Sequence, residues 1–298
     1  MVNKVEAMAV IGGSRAYDLL RRGVFGSRVK TFRPEKTPFG KSAPIHLFKH
    51  DGISFLFISR HGEKGYEIAA PFVNYRANIW ALKEKGVERI IAWSGPGAIN
   101  AKIKPGDLVV ADDIIDQTRQ RESSFFKGTG MGFIRMSDPF CCEIRKALVA
   151  SAHSSGMACR DGSVYCCTEG PRLETAAEIR MYGSWGADLV GMTLAPEPFL
   201  AREMEICYAS LCYVTNYAEG IKKRGFKVGE LFEGMQTQTE RKKVESAIGA
   251  FPAILVKTLR KLSASKRECG CRHAMDRYRK KGLLEKGLLK AVSKKHSR

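Results

Sequence analysis

The alternation of short apolar runs with longer amphipathic stretches, over residues 1–262, most constrains what this chain can fold into. Short runs rich in β-branched residues predict buried strands, and apolar residues at helical spacing predict helices that cover a sheet. Their alternation is typical of βα units that feed a mixed or largely parallel sheet. We therefore predict an α/β protein with one domain over residues 1–262, in which a central mixed β-sheet is flanked by helices.

The pattern predicts each element by its residue range. Strands are expected at residues 7–11, 45–49, 53–59, 89–94, 108–115, 188–191 and 208–215. Helices are expected at residues 73–85, 139–154, 175–185, 196–204 and 239–261. In a parallel sheet the functional residues are expected at the carboxyl ends of the strands.

The charge of the chain is strongly basic and unevenly distributed. Its net charge is +19, from 50 Lys and Arg against 31 Asp and Glu. Residues 263–298 contain 12 of the basic and 3 of the acidic residues, so about half of the excess lies in a short C-terminal extension. We expect this basic extension to lie outside the core, as a solvated or partly helical appendage. The alternative is an arm that binds a polyanion such as nucleic acid.

The cysteines and the apolar runs bear on the compartment. Nine cysteines are scattered through the chain, which is unlike a disulfide framework. No run approaches the roughly 18–20 apolar residues that a membrane-spanning helix needs, and the apolar stretch 7–11 runs straight into two glycines. We predict a cytoplasmic protein with neither a signal peptide nor a membrane span.

Three predicted strands end in residues that suit an anion. Gly12-Gly13-Ser14, Arg60-His61 and Ser94-Gly95 offer backbone N–H groups, hydroxyls, a guanidinium fork and an imidazole donor. Each has an ordinary alternative: a tight turn, or a surface ion pair beside a packed histidine. Glu174 precedes a predicted helix, while Thr193 and Asn216 follow apolar runs and could simply cap strand ends.

Taken together and in order, these segments resemble the trimeric purine nucleoside phosphorylase and 5'-methylthioadenosine phosphorylase family, over roughly residues 5–260. The motifs that carry the resemblance are Ile11-Gly12-Gly13-Ser14, Arg60-His61-Gly62, Val73-Asn74-Tyr75-Arg76-Ala77-Asn78, Pro105-Gly106-Asp107, Glu169-Gly170-Pro171-Arg172 with Glu174-Thr175, and Gly191-Met192-Thr193. The resemblance implies the type I nucleoside phosphorylase fold and a homotrimer, or a hexamer made of two trimers.

The resemblance also implies a set of site residues. The residues expected to bind phosphate are Ser14, Arg60, His61, Ser94, Gly95 and Thr193. The residues expected to bind the nucleoside are Leu173, Glu174, Val190, Gly191, Met192, Asn216 and Ala218, with Val228 and Leu231 near the 5' end of the sugar and Phe133 reaching into a neighbouring subunit's pocket.

The implied reaction is reversible phosphorolysis, in which phosphate attacks the anomeric carbon of a purine nucleoside and releases the base and ribose 1-phosphate. Arg60 and His61 would serve the phosphate and Asn216 the purine, with no metal or organic cofactor and with inorganic phosphate as co-substrate. The reaction places the enzyme in purine salvage as a pentosyltransferase.

The base specificity implied by the resemblance turns on Asn216 and Ala218, because the methylthioadenosine enzymes typically carry Asp at both positions. An amide can donate to N7 and satisfy a 6-oxo group, and Glu174 can accept from N1–H, so inosine and guanosine are the expected substrates. Against this, Val228, Leu231 and Phe232 align with the apolar patch that takes a methylthio group. A methylthioadenosine or methylthioinosine phosphorylase is therefore the alternative within the family.

Two further hypotheses concern the basic extension. A nucleic-acid-binding protein that acts through residues 263–298 is the alternative from another functional class. Cys269 and Cys271 form either a redox pair or two reduced thiols in a flexible arm.

Overall fold

A computed structural model describes residues 7–222, 229, 237–285 and 287–296, and of residues 293–296 it describes the backbone. Its strands are β1 Met8–Gly12, β2 Ser27–Phe32, β3 Lys36–Thr37, β4 Gly40–Lys41, β5 Ile45–His50, β6 Ile53–Ser59, β7 Arg89–Ser94, β8 Gly97–Ala98, β9 Leu108–Val110, β10 Asp113–Gln117, β11 Cys159–Asp161, β12 Val164–Thr168, β13 Leu189–Gly191, β14 Cys207–Tyr213 and β15 Asn216–Tyr217.

Helices flank the strands along the chain. They are α1 Ala16–Arg21, α2 Tyr75–Glu84, α3 Cys142–His153, α4 Ala176–Ser184, α5 Glu197–Glu203, α6 Gln238–Ser263, α7 Asp276–Arg279 and α8 Leu288–His296, with short 3₁₀ turns at Ala70–Phe72 and Gly270–His273.

Two mixed sheets organise the molecule. The first has eight strands in the order β11-β9-β14-β7-β1-β6-β5-β2, and the second has five in the order β10-β12-β13-β8-β15. The central strands β14, β7, β1 and β6 of the first sheet run parallel, so their carboxyl ends meet at one edge. Antiparallel pairing of β5 with both β2 and β6 makes this sheet mixed, as the sequence predicts.

One predicted strand is wrong, because residues 108–115 form two strands in different sheets. β9 pairs with β14 in the first sheet, whereas β10 pairs with β12 in the second. The chain leaves one sheet and enters the other between β9 and β10. There the backbone N–H of Asp112 donates to the carbonyl of Ser163. A run of apolar residues signals burial but not the sheet in which it is buried.

Side-chain caps place the helix starts within a few residues of the predicted ones. The Asn74 side chain accepts from the N–H of Ala77 at the start of α2. Capping boxes begin α4 with Thr175 and Glu178 and α6 with Thr237 and Glu240. Such caps satisfy backbone N–H groups that have no partner within the helix.

The prediction that the C-terminal extension lies outside the core is wrong for its described residues. Cys269, Cys271, Met275, Tyr278 and Leu284 are buried and belong to the main hydrophobic core. Arg279 forms an ion pair with Glu205 at 2.7 Å, which fixes the extension to the turn before β14. Few large apolar residues are needed here, because cysteine and methionine bury as readily as aliphatic side chains.

None of the helices in the described part of the chain is both long enough and apolar enough to cross a membrane.

Glu203, at the end of α5, is a buried carboxyl group. It accepts hydrogen bonds from the Ser124 hydroxyl at 2.6 Å and from the N–H of Phe125 at 2.7 Å. Burial nevertheless raises the pKa of Glu203 to about 7 from its ordinary value of 4.5. The folded protein therefore binds this proton more tightly than the unfolded chain does, and the stability this provides is present below pH 4.5 and lost as the pH rises through 7.

We expect Glu203→Gln to remove this loss, because the amide is neutral at every pH and can still pair with Ser124 and Phe125. Urea unfolding at pH 5 and at pH 8 measures this loss. From pH 5 to pH 8 the free energy of unfolding of the wild type should decrease by up to about 3 kcal/mol more than that of the variant. Glu84→Gln, an exposed carboxyl on α2, is the matched control. Equal pH dependence in all three proteins would contradict the assignment.

Candidate active site

A cavity of about 480 Å³ lies at the carboxyl edge of the central strands, between the two sheets. Its size is in the range of small-molecule sites. The first turns of α6 also line it, through Arg241, Val244, Glu245 and Ile248. The residues predicted from the sequence that line this cavity are Ser14, Ser94, Gly95, Leu173, Glu174, Val190, Gly191, Met192, Thr193, Asn216 and Ala218.

The loop after β1 is held tightly against β7. The carbonyl of Ser14 accepts from the indole N–H of Trp93 at 3.1 Å and from the hydroxyl of Tyr213 at 3.2 Å. A Cβ atom at Gly13 would lie only 2.4 Å from the Trp93 carbonyl oxygen. Glycine is therefore required for this close approach, and it fixes the position of Ser14 at the cavity wall.

Three hydroxyl groups meet at the end of β7. Ser94 at the end of β7 is 2.9 Å from the Tyr165 hydroxyl and 3.0 Å from the Thr193 hydroxyl. Tyr165 is fully buried, and a Cβ atom at Gly191 would lie 2.0 Å from its hydroxyl oxygen. Hydroxyls can turn to donate or to accept, so Ser94 and Thr193 can both donate to an anion.

Arg60 lies next to Gly13 in the loop after β1 and does not line the cavity. Its Nε and Nη2 donate to the two Glu197 oxygens at 2.6 and 2.8 Å, and its Nη1 donates to the Trp93 carbonyl at 3.3 Å. Although burial disfavours the charged guanidinium, the Glu197 carboxylate raises the pKa of Arg60 above its ordinary value. A permanent positive charge is thus fixed beside Gly13. The sequence offers no signal for Glu197, which lies 137 positions away from Arg60.

His61 departs from its expected role as a donor and also lies outside the cavity lining. Its Nδ1 is 2.8 Å from the Ile68 carbonyl oxygen, which can only accept, so Nδ1 carries the proton. Burial and the nearby Arg60 charge lower the pKa of His61 to about 3, which keeps the ring neutral. Its Nε2 is then an acceptor, buried and without a partner among the described residues.

The ring of Tyr66 covers His61, stacked with centroids 4.2 Å apart, and itself lines the cavity. Tyr66 is half exposed.

The second sheet and the loops beside it also line the cavity. The Thr168 hydroxyl at the end of β12 donates to Glu174 Oε1 at 2.5 Å, which orients that carboxylate. Asn216 in β15 accepts from the Thr215 hydroxyl at 2.5 Å and donates to the Tyr217 carbonyl at 2.7 Å. One N–H of the buried Asn216 amide and one Glu174 oxygen therefore have no hydrogen-bond partner within the described residues.

Arg121 holds these walls together, and sequence reasoning missed it. Its side chain is almost fully buried and donates to the carbonyls of Met192 and Ala195, both at 2.7 Å. It also pairs with Glu169 at 3.0 Å, whose carboxylate accepts further N–H groups from the chain before Arg121. This explains why Glu169 belongs to a motif although it does not line the cavity.

Other predicted and missed residues complete the site. Phe133 is 75% exposed and lies away from this chain's cavity. Val228, Leu231 and Phe232 fall outside the described residues. Sequence reasoning missed the side chains of Tyr17, Tyr66, Tyr213 and Thr215, which also line the cavity. Tyr213 and Thr215 end a predicted strand, so their position could have indicated them.

The comparison with known proteins agrees with this geometry. A family model described as "Phosphorylase superfamily" matches residues 8–255. The chain belongs to the phosphorylase superfamily. It is 41% identical over 276 residues to a 6-oxopurine nucleoside phosphorylase of Pyrococcus furiosus, covering 90% of this chain and 97% of that relative.

Other relatives carry different substrate names. This chain is 42% identical over 268 residues to a probable S-methyl-5'-thioinosine phosphorylase of Methanothermobacter thermautotrophicus, covering 90% of this chain and 88% of that relative. Among solved structures, a methylthioadenosine phosphorylase from an Antarctic soil metagenomic library matches with a TM-score of 0.80 and 29% identity, covering 91% of both chains.

These findings confirm the predicted family, the α/β fold and the enzyme class. The chain is a phosphorolytic nucleoside phosphorylase and a pentosyltransferase, whose substrates are a nucleoside and phosphate. Its relatives divide between 6-oxopurine and methylthio nucleosides at similar identity.

The close packing of Gly13 generates a prediction for this phosphorylase. Gly13→Ala must move the Ser14 loop away from Trp93, and misplacement by about 1 Å can cost on the order of 100-fold in rate. We expect kcat/KM for phosphate to fall by at least about tenfold. Gly249→Ala is the control, because its added methyl group on α6 meets no atom within 4 Å. Steady-state kinetics with phosphate varied would contradict the account if both variants behaved alike.

Proposed function

We propose that this phosphorylase acts on 6-oxopurine nucleosides, inosine and guanosine, in purine salvage. The observation that carries the proposal is that Glu174 and Asn216 both line the cavity, each with a hydrogen-bonding atom that has no partner among the described residues, and that Ala218 lines it as well. A 6-oxopurine presents a donor at N1–H and acceptors at O6 and N7. The available Glu174 oxygen can accept from N1–H, and the available Asn216 N–H can donate to N7 or O6.

An adenine nucleoside fits this arrangement less well. Its N1 is an acceptor, so it would face the Glu174 carboxylate with two acceptors opposed and no proton between them. A site built to accept a hydrogen bond discriminates strongly against a ligand that cannot donate it, because the acceptor that the bound ligand covers stays unpaired.

The phosphate is assigned to the edge of the first sheet. Ser14, Ser94, Gly95 and Thr193 would contact its oxygens, while the fixed charge of Arg60 attracts the anion from behind the loop. His61 would reach it only after the Tyr66 ring moves aside, and its neutral Nε2 would then accept a hydrogen bond from the hydroxyl of hydrogen phosphate. In this role His61 selects a protonated anion instead of adding positive charge.

The reaction follows from this placement. A phosphate oxygen forms a bond to the anomeric carbon as the bond from that carbon to the purine nitrogen breaks, and the bonding electron pair leaves with the purine. The anion beside the sugar stabilises its developing positive charge, and the Asn216 N–H at N7 stabilises negative charge on the base. Met192 would lie beneath the ribose, with Leu173 and Val190 against the base.

A substrate panel tests the proposal: inosine, guanosine, adenosine, methylthioadenosine and methylthioinosine, each with and without phosphate. We expect phosphate-dependent release of hypoxanthine and guanine, with adenosine at least about 100-fold poorer in kcat/KM. A methylthioadenosine preference would contradict it. Glu174→Gln should narrow the gap between inosine and adenosine, because an amide can donate to adenine N1, whereas the exposed Glu84→Gln should not.

Methylthioinosine is the second candidate substrate, and the apolar lining near α6 favours it. Val244 and Ile248 face the cavity beside the charged Arg241 and Glu245, so the end of the cavity under α6 offers both apolar and polar contacts. A kcat/KM for methylthioinosine above that of inosine would identify the 5' substituent as the preferred one.

We also propose a homotrimer, or a hexamer of two trimers, in which Phe133 closes the sugar pocket of a neighbouring subunit. The backbone N–H of Phe133 donates to the Tyr278 hydroxyl at 2.8 Å, so the C-terminal extension fixes the loop that projects this exposed ring.

Phe133→Ala should raise KM for the nucleoside several-fold and leave KM for phosphate unchanged, because it removes contact at the sugar alone. Light scattering should show the mass of a trimer or hexamer. Val29→Ala, which truncates an exposed residue of β2, is the control and should leave both KM values unchanged. A monomer with full activity would contradict the proposal.

A further inference from the structure

Four cysteines from three distant parts of the sequence converge beneath the C-terminal extension, away from the cavity. Their Sγ atoms all lie within 4.8 Å of one another, and all four residues are buried. We refer to them as the four-cysteine cluster, which consists of Cys141, Cys207, Cys269 and Cys271. None of the four lines the cavity.

Each member of the cluster is placed by ordered backbone. Cys141 is the N-cap residue of α3, and its N–H donates to the Tyr208 carbonyl at 2.7 Å. Cys207 is the first residue of β14. Cys269 and Cys271 lie at the start of the 3₁₀ turn of the extension. The sulfur atoms are therefore fixed by secondary structure rather than gathered by loose loops.

The separations suit a common central ion. Four thiolates at about 2.3 Å from a tetrahedral Zn²⁺ would be separated from each other by roughly 3.8 Å. In the cluster the Sγ atoms of Cys207 and Cys269 are 3.2 Å apart, and none of the four is disulfide-bonded.

The surroundings suit negatively charged sulfur. Arg267 Nε donates to Cys207 Sγ at 3.0 Å, and Arg202 Nη1 donates to Cys271 Sγ at 3.6 Å. Cys141 stands at the positive end of the α3 dipole. Four thiolates and one Zn²⁺ carry a net charge of −2, which the two guanidinium groups balance. Hydrogen bonds of this kind to ligand atoms are typical of the groups that surround metal sites.

We propose that the four-cysteine cluster binds one Zn²⁺ ion as a structural tetrathiolate site that fastens the C-terminal extension to the α/β domain. Four sulfur ligands in a closed arrangement leave no position for substrate, which distinguishes a structural from a catalytic zinc site. Binding displaces the thiol protons and links residues 141, 207 and 269 to one ion. Because the unfolded chain lacks the assembled site, the free energy of metal binding stabilises the folded state.

The site also connects to the proposed subunit contact. Tyr278, seven residues after Cys271, holds the backbone of Phe133. Fastening the extension therefore also fixes the loop that carries the exposed Phe133 ring. This connection rests on the proposed function, whereas the metal site itself does not.

The test is the metal content of the full-length protein, purified under reducing conditions without chelator, by mass spectrometry of the elements. We expect about one Zn²⁺ per chain in the wild type. Cys142→Ser is the matched control, because Cys142 is adjacent to Cys141 but exposed and outside the cluster. It should retain the zinc, and the double variant Cys269→Ser, Cys271→Ser should lose it.

A second measurement does not depend on the folding of any variant. Co²⁺ added to chelator-treated wild type should give the intense visible spectrum of tetrahedral cobalt with thiolate charge transfer. In the zinc-loaded protein the basic extension should resist cleavage by trypsin. After chelator treatment trypsin should cleave the extension. Iron in place of zinc, a wild type without metal whose nine thiols all react, or an intact mass lower by four hydrogens from two disulfides would each overturn the proposal.

Discussion

The ion pair between Arg60 and Glu197 is the interaction on which the site depends. It joins the end of β6 to α5, and the Tyr208 hydroxyl of β14 donates to the same carboxylate at 2.7 Å. Breaking such a buried pair leaves an uncompensated charge, at a cost of about 3–5 kcal/mol. Replacing either partner alone is therefore strongly destabilising. The intact pair holds the positive charge of Arg60 beside Gly13. The Ser14 loop, the Trp93 carbonyl and the cavity wall are all positioned against it.

In the function we propose, the two sheets divide the chemistry between them. The parallel strands of the first sheet would bring Ser14 and Ser94 to the phosphate, because strand ends meet at one edge. The second sheet and its loops would bring Glu174 and Asn216 to the base, and Arg121 ties these loops together by donating to backbone carbonyls.

Much of this could be predicted from the sequence, and the exceptions share a physical reason. Eleven predicted site residues line the cavity. The ends of the predicted strands indicated some of them, and the resemblance to the family implied the others. Arg60 and His61 do not line the cavity, because the sequence shows their chemistry but not the Glu197 carboxylate or the Ile68 carbonyl that engage them. The split of residues 108–115 into two strands and the burial of the extension could not be predicted either, because both depend on partners that are distant in the sequence. Cys269 and Cys271 look like an isolated pair until the fold brings Cys141 and Cys207 beside them.

The most direct measurement is a crystal structure of the protein with hypoxanthine and phosphate bound. We predict that Glu174 accepts from N1–H, that Asn216 donates to the purine, and that phosphate contacts Ser14, Ser94 and Thr193 with Arg60 still paired to Glu197. A purine bound without contact to Glu174, or a phosphate away from the Ser14 loop, would contradict the account.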